Sequence, residues 1–385
     1  MRLGVLATHP IQNHAPVFRE LAARCDLTVH FAHRQTPEGQ AKAGFGVAFD
    51  WDVDLLSGFP SVFLENRSPR PGTSGFFGCD TPGIDRAIGD GGFDAFLVMG
   101  WNVKSYWQAV RACRRRGIPV LIRGDSQRAE RRRLPVRLAK KLLYPRLLQS
   151  FDGFCYVGRR NFEYLRGYGA PEGRLYFAPH CVDNAAFAAK AQASFRPRDP
   201  SAPKSVLFAG KLIEKKRPLD LIRALALAQN AGCRVQAIFA GSGELEEELR
   251  RAAVQNGLSA IFLGFQNQSR MPSIYAAADL LVLPSDHRET WGLVVNEAMA
   301  CGTPAVVSDA VGCAPDLIEA GRTGASFPLG EVAALDAAIR SVLGRDKSTF
   351  RDQLARKVAA YSPVAAARGI LQCSSELCRQ IGLGE

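Results

Sequence analysis

The most constraining feature of this sequence is a rhythm. From residue 205 to about 308, short apolar runs alternate with amphipathic stretches: SVLFAGKL and PLDLIRALALAQ, RVQAIFAGSG and ELEEELRRAAVQNG, AIFLGF and SIYAAA, DLLVLPS and LVVNEAMACG, then PAVVSD. Continuous apolar runs of this length read as strands buried on both faces, and the stretches between them carry apolar positions at helical spacing. Such regular alternation predicts a doubly wound parallel sheet with ligands outside the carboxyl ends of its strands. The first part of the chain repeats the pattern less clearly, in RLGVLAT (2–8), PVFRELAARC (16–25), LTVHFAH (27–33), FDAFLVMGW (93–101), IPVLIRGD (118–125) and GFCYVG (153–158). Residues 35–92, rich in Gly, Pro and Ser, show no readable period.

With 385 residues the chain exceeds what one hydrophobic core usually serves. Residues 183–204 are polar and Pro-rich, include RPRDPSAPK, and read as a linker. The expected organisation is an N-terminal domain over 1–182, the linker 183–204, a C-terminal domain over 205–360, and C-terminal helices over 361–385 able to pack back on the N-terminal domain. Apolar residues at 47% and charged residues at 22% exclude a disordered or collagen-like chain. No apolar run reaches the roughly 20 residues needed to cross a bilayer, and MRLGVLATHP lacks the features of a cleaved leader. The ten cysteines include no CxxC pair and no Cys/His cluster at zinc spacing, so a cytoplasmic protein without a metal centre is expected.

PSDHRETWGLVVNEAMACGTP (284–304) places Glu289 in a loop after an apolar strand and Glu297 in the following helix, for which Thr290 is a plausible N-cap. The start of that helix presents backbone N–H groups and a positive dipole end, which suits a phosphate. GKLIEKKRPLDLI (210–222) places Gly210 at a strand end, with Lys211 next and Lys216 just before a helix. Two ammonium groups over one strand end could neutralise a departing diphosphate. At ~4 Å and an effective dielectric of ~20, each close charge pair is worth on the order of 4 kcal/mol. Lys215 and Arg217 read as solvated neighbours.

The order of these motifs resembles the retaining glycosyltransferases of family 4, glycosyl transferases group 1. The resemblance rests on GKL…K (210–216), FAGSGELEEEL (239–249), FLGF (262–265), YAAADLLVLPS (275–285) and ETWGLVVNEAMACGTPAVVSDAVG (289–312), with weaker matches at 156–175, 179–187 and 8–21. It implies an α/β chain of the GT-B type, with two Rossmann-like doubly wound domains and a cleft between them. It also implies transfer of a sugar from a UDP- or GDP-sugar to an acceptor hydroxyl with retention of configuration, without a metal or other cofactor.

Carried over residue by residue, Glu289 matches the first acid of an E-x7-E motif, near the donor sugar and reaction centre. Glu297 matches the second, on the nucleotide ribose, and Lys216 matches the lysine that grips the diphosphate. Lys211 stands where many members have arginine, so it keeps the charge and loses the bidentate fork. The donor-binding set implied is Gly210, Lys211, Lys216, Gly241, Gly243, Phe265, Glu289, Thr290, Trp291, Gly292, Leu293 and Glu297. The catalytic set is Glu289, Lys216, Lys211 and Asp125. Asp125 falls about where many members place a histidine and could orient or deprotonate the acceptor hydroxyl, or simply cap a helix or pair with Arg123. His9, Gln12 and His14 lie in the first strand-to-helix loop, where many relatives carry glycines, and are assigned to the acceptor side. His287 and Arg288 precede Glu289 and could approach the sugar.

The net charge of +12 is concentrated in one place: residues 111–146 hold thirteen Lys or Arg and two acids, a net +11. Within 127–148, Arg128, Arg131, Arg132, Arg133, Arg137, Lys140, Lys141 and Arg146 accompany Leu134, Leu138 and Leu142, spaced four apart. A basic helix with an apolar stripe suits an anionic membrane surface, each nearby charge adding roughly 1 kcal/mol. It also suits packing of the leucines on the protein's own sheet. The membrane reading fits a lipid-linked saccharide acceptor in bacterial polysaccharide biosynthesis and a peripheral position on the inner face of the plasma membrane. Nucleic acid is not expected as a partner, because no stacking platform or recognition helix is readable. The competing functions are a nucleotide-sugar epimerase or hydrolase on the same fold, and a non-catalytic module that binds membrane or nucleic acid.

Overall fold

The computed structural model describes residues 1–41, 48–73, 75–127, 134–194, 199, 201–380 and 382, with backbone alone for 40 and 134–139. The chain divides into two units: Met1–Thr36, Asp54–His180 and Pro363–Glu385 form the first, and Pro37–Val53 with Cys181–Ser362 the second.

The first unit carries a seven-stranded parallel sheet built from β1 (Arg2–Ala7), β2 (Asp26–Phe31), β3 (Ser61–Phe63), β4 (Ala95–Val98), β5 (Val120–Gly124), β6 (Gly153–Tyr156) and β7 (Leu175–Phe177). Their order is β3-β2-β1-β4-β5-β6-β7. All four residues of β4 are buried, as expected of a central parallel strand covered by helices on both faces. The second unit carries a six-stranded parallel sheet of β8 (Lys204–Ala209), β9 (Val235–Ala240), β10 (Ala260–Gly264), β11 (Leu280–Leu283), β12 (Ala305–Ser308) and β13 (Gly324–Phe327), ordered β10-β9-β8-β11-β12-β13. Counted within its unit, each sheet begins with the Rossmann order 3-2-1-4-5-6. The edge strand β10 alternates partly buried with exposed residues. Ile261 and Leu263 face outward, and the Arg250 guanidinium lies 4.2 Å from the Phe262 ring centroid.

Two parts of the predicted organisation change. The expected linker 183–204 contains the helix Asn184–Ala193, whose N-cap Asp183 accepts a hydrogen bond from the Ala186 N–H at 3.0 Å. Phe187 and Ala191 bury that helix, and Asn184 donates to the backbone oxygens of Val358 and Tyr361 at 2.7 and 3.2 Å. An alanine-rich helix with only two apolar anchors looks polar in sequence, yet it packs as part of the second unit. Residues Pro37–Val53 also belong to the second unit, although they lie between strands of the first. The helix Pro363–Gln380 counts with the first unit, in line with the expected packing of 361–385 on the N-terminal domain, and there the Tyr176 hydroxyl donates to the Glu376 carboxylate at 2.7 Å.

Candidate active site

In the second unit the topological switch falls between β8 and β11. The chain leaves β8 towards β9 on one side of the sheet, and leaves β11 towards β12 on the other. A crevice at such a point, outside the carboxyl ends of the strands, is where open α/β sheets bind ligands. Both predicted motifs land there: Gly210 follows β8, and Pro284 to Glu289 follow β11. The turn Glu214–Lys216 precedes Arg217, which holds a left-handed backbone at φ +52° and pairs with buried Asp220 at 2.6 Å. The Asp286 N–H donates to the Lys215 carbonyl at 2.9 Å, which ties the two motif loops together.

Lys216 and Glu289 are thereby joined in an ion pair with side chains only 13% and 15% exposed. Lys211 lies in the same field. Burial, then repulsion by Lys215 and Lys216, pulls its ammonium pKa below the ordinary lysine value. Lys211, Lys215 and Lys216 lie close enough to repel one another, and such clustered ammonium groups over the strand ends suit a polyanion. Gly241 lets the next loop press close to this one, because a Cβ there would sit 2.0 Å from the Gly210 oxygen. A Cβ at Gly243 would sit 2.4 Å from the Leu212 oxygen. Their local role is therefore close approach of two loops.

Thr290 is not the helix cap. The N–H groups of Gly312 and Cys313 donate to the Glu289 and Trp291 carbonyls, both at 3.0 Å, which holds 289–291 against the loop after β12. Gly292, at φ +98°, then turns the chain into the helix Leu293–Ala300. That left-handed corner favours glycine and delays the helix start by two residues. The Trp291 side chain also departs from the donor-side assignment. It is buried, donates to Asn296 Oδ1 at 2.8 Å and packs 5.9 Å from the Tyr361 ring. Arg288 pairs with Asp286 at 2.7 Å.

Glu297 lies inside the helix, 8% exposed. The Tyr275 hydroxyl donates to its Oε2 at 2.6 Å, and the Gln268 amide reaches its Oε1 at 3.4 Å. Burial raises its pKa to about 7 against the pull of these two donors. Phe265, on the same loop as Gln268, is partly buried with its ring 4.3 Å from that of Phe49. Spacing alone did not single out Tyr275, Gln268 or Gly312, which lie 22, 29 and 23 residues from the Glu297 or Glu289 they support.

In the first unit the acceptor-side residues also gather beyond strand ends. His9, after β1, has Nδ1 3.0 Å from Thr8 Oγ1, and burial followed by the nearby His33 lowers its pKa to about 4. His14 is partly buried, with its Nδ1 atom out of solvent and lacking a hydrogen-bond partner among the described residues. Gln12 Oε1 lacks one too. Burial, then the charges of Arg123, His180 and His9, hold the His14 pKa well below the ordinary value. Asp125 stands just past β5 with a carboxylate 50% exposed and 4.0 Å from His180 Nε2. Arg123 and His180, both buried, belong to this group as well, and Arg123 donates to the Ala178 and Pro179 carbonyls at 3.2 and 2.7 Å. Their signal in the sequence was a charge inside the apolar run IPVLIRGD and a histidine directly after LYFAP.

The basic stretch is helical over Leu134–Leu148. Arg128 and Arg131, Arg132 and Arg133 lie outside the described residues, as do the side chains of Leu134, Arg137 and Leu138. On the described turns, Leu148 is buried and Tyr144 packs 5.0 Å from Tyr168. Lys140 places its ammonium 4.8 Å from the Tyr144 ring centroid, so it is directed at the protein. Lys141 is exposed, and Leu142 and Leu143 are 72% and 60% exposed. Among the described residues no helix is long and apolar enough to cross a membrane, and no three His, Cys, Asp or Glu side chains group as metal ligands.

Residues 190–359 match the family model described as glycosyl transferases group 1. The D-inositol 3-phosphate glycosyltransferase of Mycolicibacterium gilvum is 34% identical over 199 residues, which cover 50% of this chain and 44% of that protein. The protein of the same name from Nocardia farcinica is 31% identical over 226 residues, covering 54% and 49%. The chain thus spans about half the length of the curated relatives it matches. Among solved structures, Anabaena HepE in complex with UDP aligns with a TM-score of 0.71 at 16% identity, over 98% of this chain and 100% of that one. Sucrose-phosphate synthase from Thermosynechococcus elongatus aligns at 0.64 with 19% identity, over 98% and 99%. Likeness at such identity shows the fold, and the fold is GT-B with two Rossmann-like domains. The match to the glycosyl transferases group 1 family thus covers residues 190–359, less than half of the chain, and over that stretch the chain is similar to that family.

Proposed function

We propose that this protein is a glycosyltransferase that moves a sugar from a nucleoside-diphosphate sugar to an acceptor hydroxyl, with retention at the anomeric carbon. The observation that carries the reading is the joining of Lys211, Lys216 and Glu289 at the switch point of the second sheet. As the bond to the sugar breaks, negative charge grows on the departing diphosphate. Lys216 and Lys211 meet that charge, with the first-turn N–H groups of the helix Leu293–Ala300 facing the distal phosphate. The lysines supply positive charge without a metal ion. Glu289, held beside Lys216, lies at the donor sugar, where a carboxylate stabilises an electron-poor anomeric carbon. Glu297 accepts the ribose hydroxyls. HepE, of like fold, is described in complex with UDP-glucose, which supports a UDP-sugar as donor.

On the first sheet, Asp125 and His180 orient the acceptor hydroxyl, with His9, Gln12 and His14 lining the same side. The acceptor is a lipid-linked saccharide, and the protein works on an anionic membrane face. The exposed Lys141, Leu142 and Leu143 on a helix within the +11 segment support this reading. The test is product analysis after incubation with UDP- and GDP-sugars and lipid-linked acceptors. A glycosylated acceptor with retained configuration is expected. Free sugar or an epimerised nucleotide sugar without acceptor product would replace the transferase reading with a hydrolase or epimerase.

A further inference from the structure

Residues 48–53 lie in the stretch that no strand or helix pattern explains, yet they are fastened to the loop after β10 in the second unit. The Ser269 N–H donates to the Asp52 carboxylate at 3.0 Å, and the Ser269 hydroxyl donates to its other oxygen. The Asn267 amide donates to the Asp50 carbonyl at 2.7 Å. The Phe49 ring lies 4.3 Å from Phe265, and Trp51 meets Phe49 edge to face at 4.9 Å. Phe49, Trp51 and Phe265 are each partly rather than fully buried. The loop so fastened also carries Gln268, which reaches Glu297.

We propose that Phe49, Trp51 and Phe265 receive the nucleobase of the donor, which makes segment 48–53 a specificity element for the nucleoside. This rests on the reading of the second unit as a nucleotide-sugar site. With the diphosphate at Lys211 and Lys216 and the ribose at Glu297, the base must leave the ribose from C1′, opposite its phosphate-bearing end. Beyond Glu297 stands the 265–269 loop, reached through Gln268, and the aromatic group sits on that loop. A purine or pyrimidine has a flat π-face that stacks on aromatic rings whatever its edge pattern. The fastening of Asp52 to Ser269 fixes the rings before ligand arrives, which lowers the ordering cost of binding.

The experiment is calorimetric titration of UDP, GDP and inorganic pyrophosphate into the full-length protein and its Phe49→Ala, Phe49→Tyr and Asp52→Ala variants. Phe49→Ala and Asp52→Ala should weaken the preferred nucleoside diphosphate by about tenfold or more. Pyrophosphate binding should be unchanged, and Phe49→Tyr should bind like wild type. Nucleotide affinity unchanged in both weakened variants would overturn this assignment alone. So would equal loss of nucleotide and pyrophosphate, since the segment would then only support the unit's structure. Wild-type protein that binds neither nucleotide would overturn the donor-site reading, and this assignment with it.

Discussion

Lys216 and Glu289 form an ion pair that links the loop after β8 to the loop after β11, at the one place where the second sheet reverses its winding. The pair bridges 73 residues of sequence, and both side chains are more than four-fifths buried. A diphosphate arriving at Lys216 must share an ammonium already engaged by a carboxylate. On the proposed reading the pair serves two ends, holding the loops together and supplying both charges to the reaction.

Those two ends separate by mutation. Lys216→Ala leaves Glu289 mostly buried without its ammonium and should cost on the order of 2 kcal/mol in urea unfolding. The double variant Lys216→Met with Glu289→Gln should recover most of that stability, because no lone charge remains. Transfer by the double variant should still fall by about a hundredfold or more, as expected when charge stabilisation of a leaving group is lost. Activity that recovers along with stability would show that the pair is only structural.

Glu297 ties stability to pH. Its pKa of about 7 lies above the ordinary glutamate value of 4.5, so the native state keeps a proton that the unfolded chain releases. Stability is fully present below about pH 4.5, is lost as pH rises towards 7, and stays lower above that. Glu297→Gln carries no charge. It should be more stable than wild type at pH 8 by on the order of 3 kcal/mol, with the difference fading towards pH 4.5. Urea unfolding of the ligand-free protein at several pH values checks this, and a pH-independent difference would contradict it.

Gly241→Ala should destabilise strongly and Gly232→Ala weakly. Both positions have positive φ, +147° and +86°, but a Cβ at 241 would meet the Gly210 oxygen at 2.0 Å while nothing lies within 4 Å of one at 232. Backbone strain alone costs about 1 kcal/mol at 232, and a backbone clash adds several-fold more at 241. Urea midpoints of the two variants give the comparison directly.

Vesicle flotation tests the membrane reading. Binding to vesicles containing anionic lipid should weaken as salt rises. Leu142→Glu with Leu143→Glu should reduce it at any salt, because these side chains are exposed on the described helix. Charge reversal at Arg131, Arg132 and Arg133 should reduce it most at low salt. Binding indifferent to all these changes would remove the membrane from the account of this protein.

The second sheet was legible because its central strands are buried on both faces. LLVL in β11 and AVVS in β12 are wholly buried, and such runs read as strands without help from context. Lys216 and Glu289 were legible as charges at strand ends, and Glu297 as a second acid eight positions on, in the following helix. What surrounds them was not, because Tyr275, Gln268 and Gly312 act across the fold, and no local period links them to the acids. The helix start went to Gly292 because backbone pairing with 312–313 overrode the local capping preference of Thr290. Segment 48–53 was opaque for the same reason: its contacts with 265–269 are more than 200 residues away in sequence. His180 and Arg123 came together only once β5 and β7 were placed in one sheet.

The most direct measurement of the central claim is calorimetric titration of UDP- and GDP-sugars into wild-type protein and Lys216→Ala. The expected result is saturable binding of one of these donors by wild type, weakened about tenfold or more in the variant. Absence of binding by wild type, or equal binding by both proteins, would contradict the claim that the second sheet holds a sugar donor by its diphosphate.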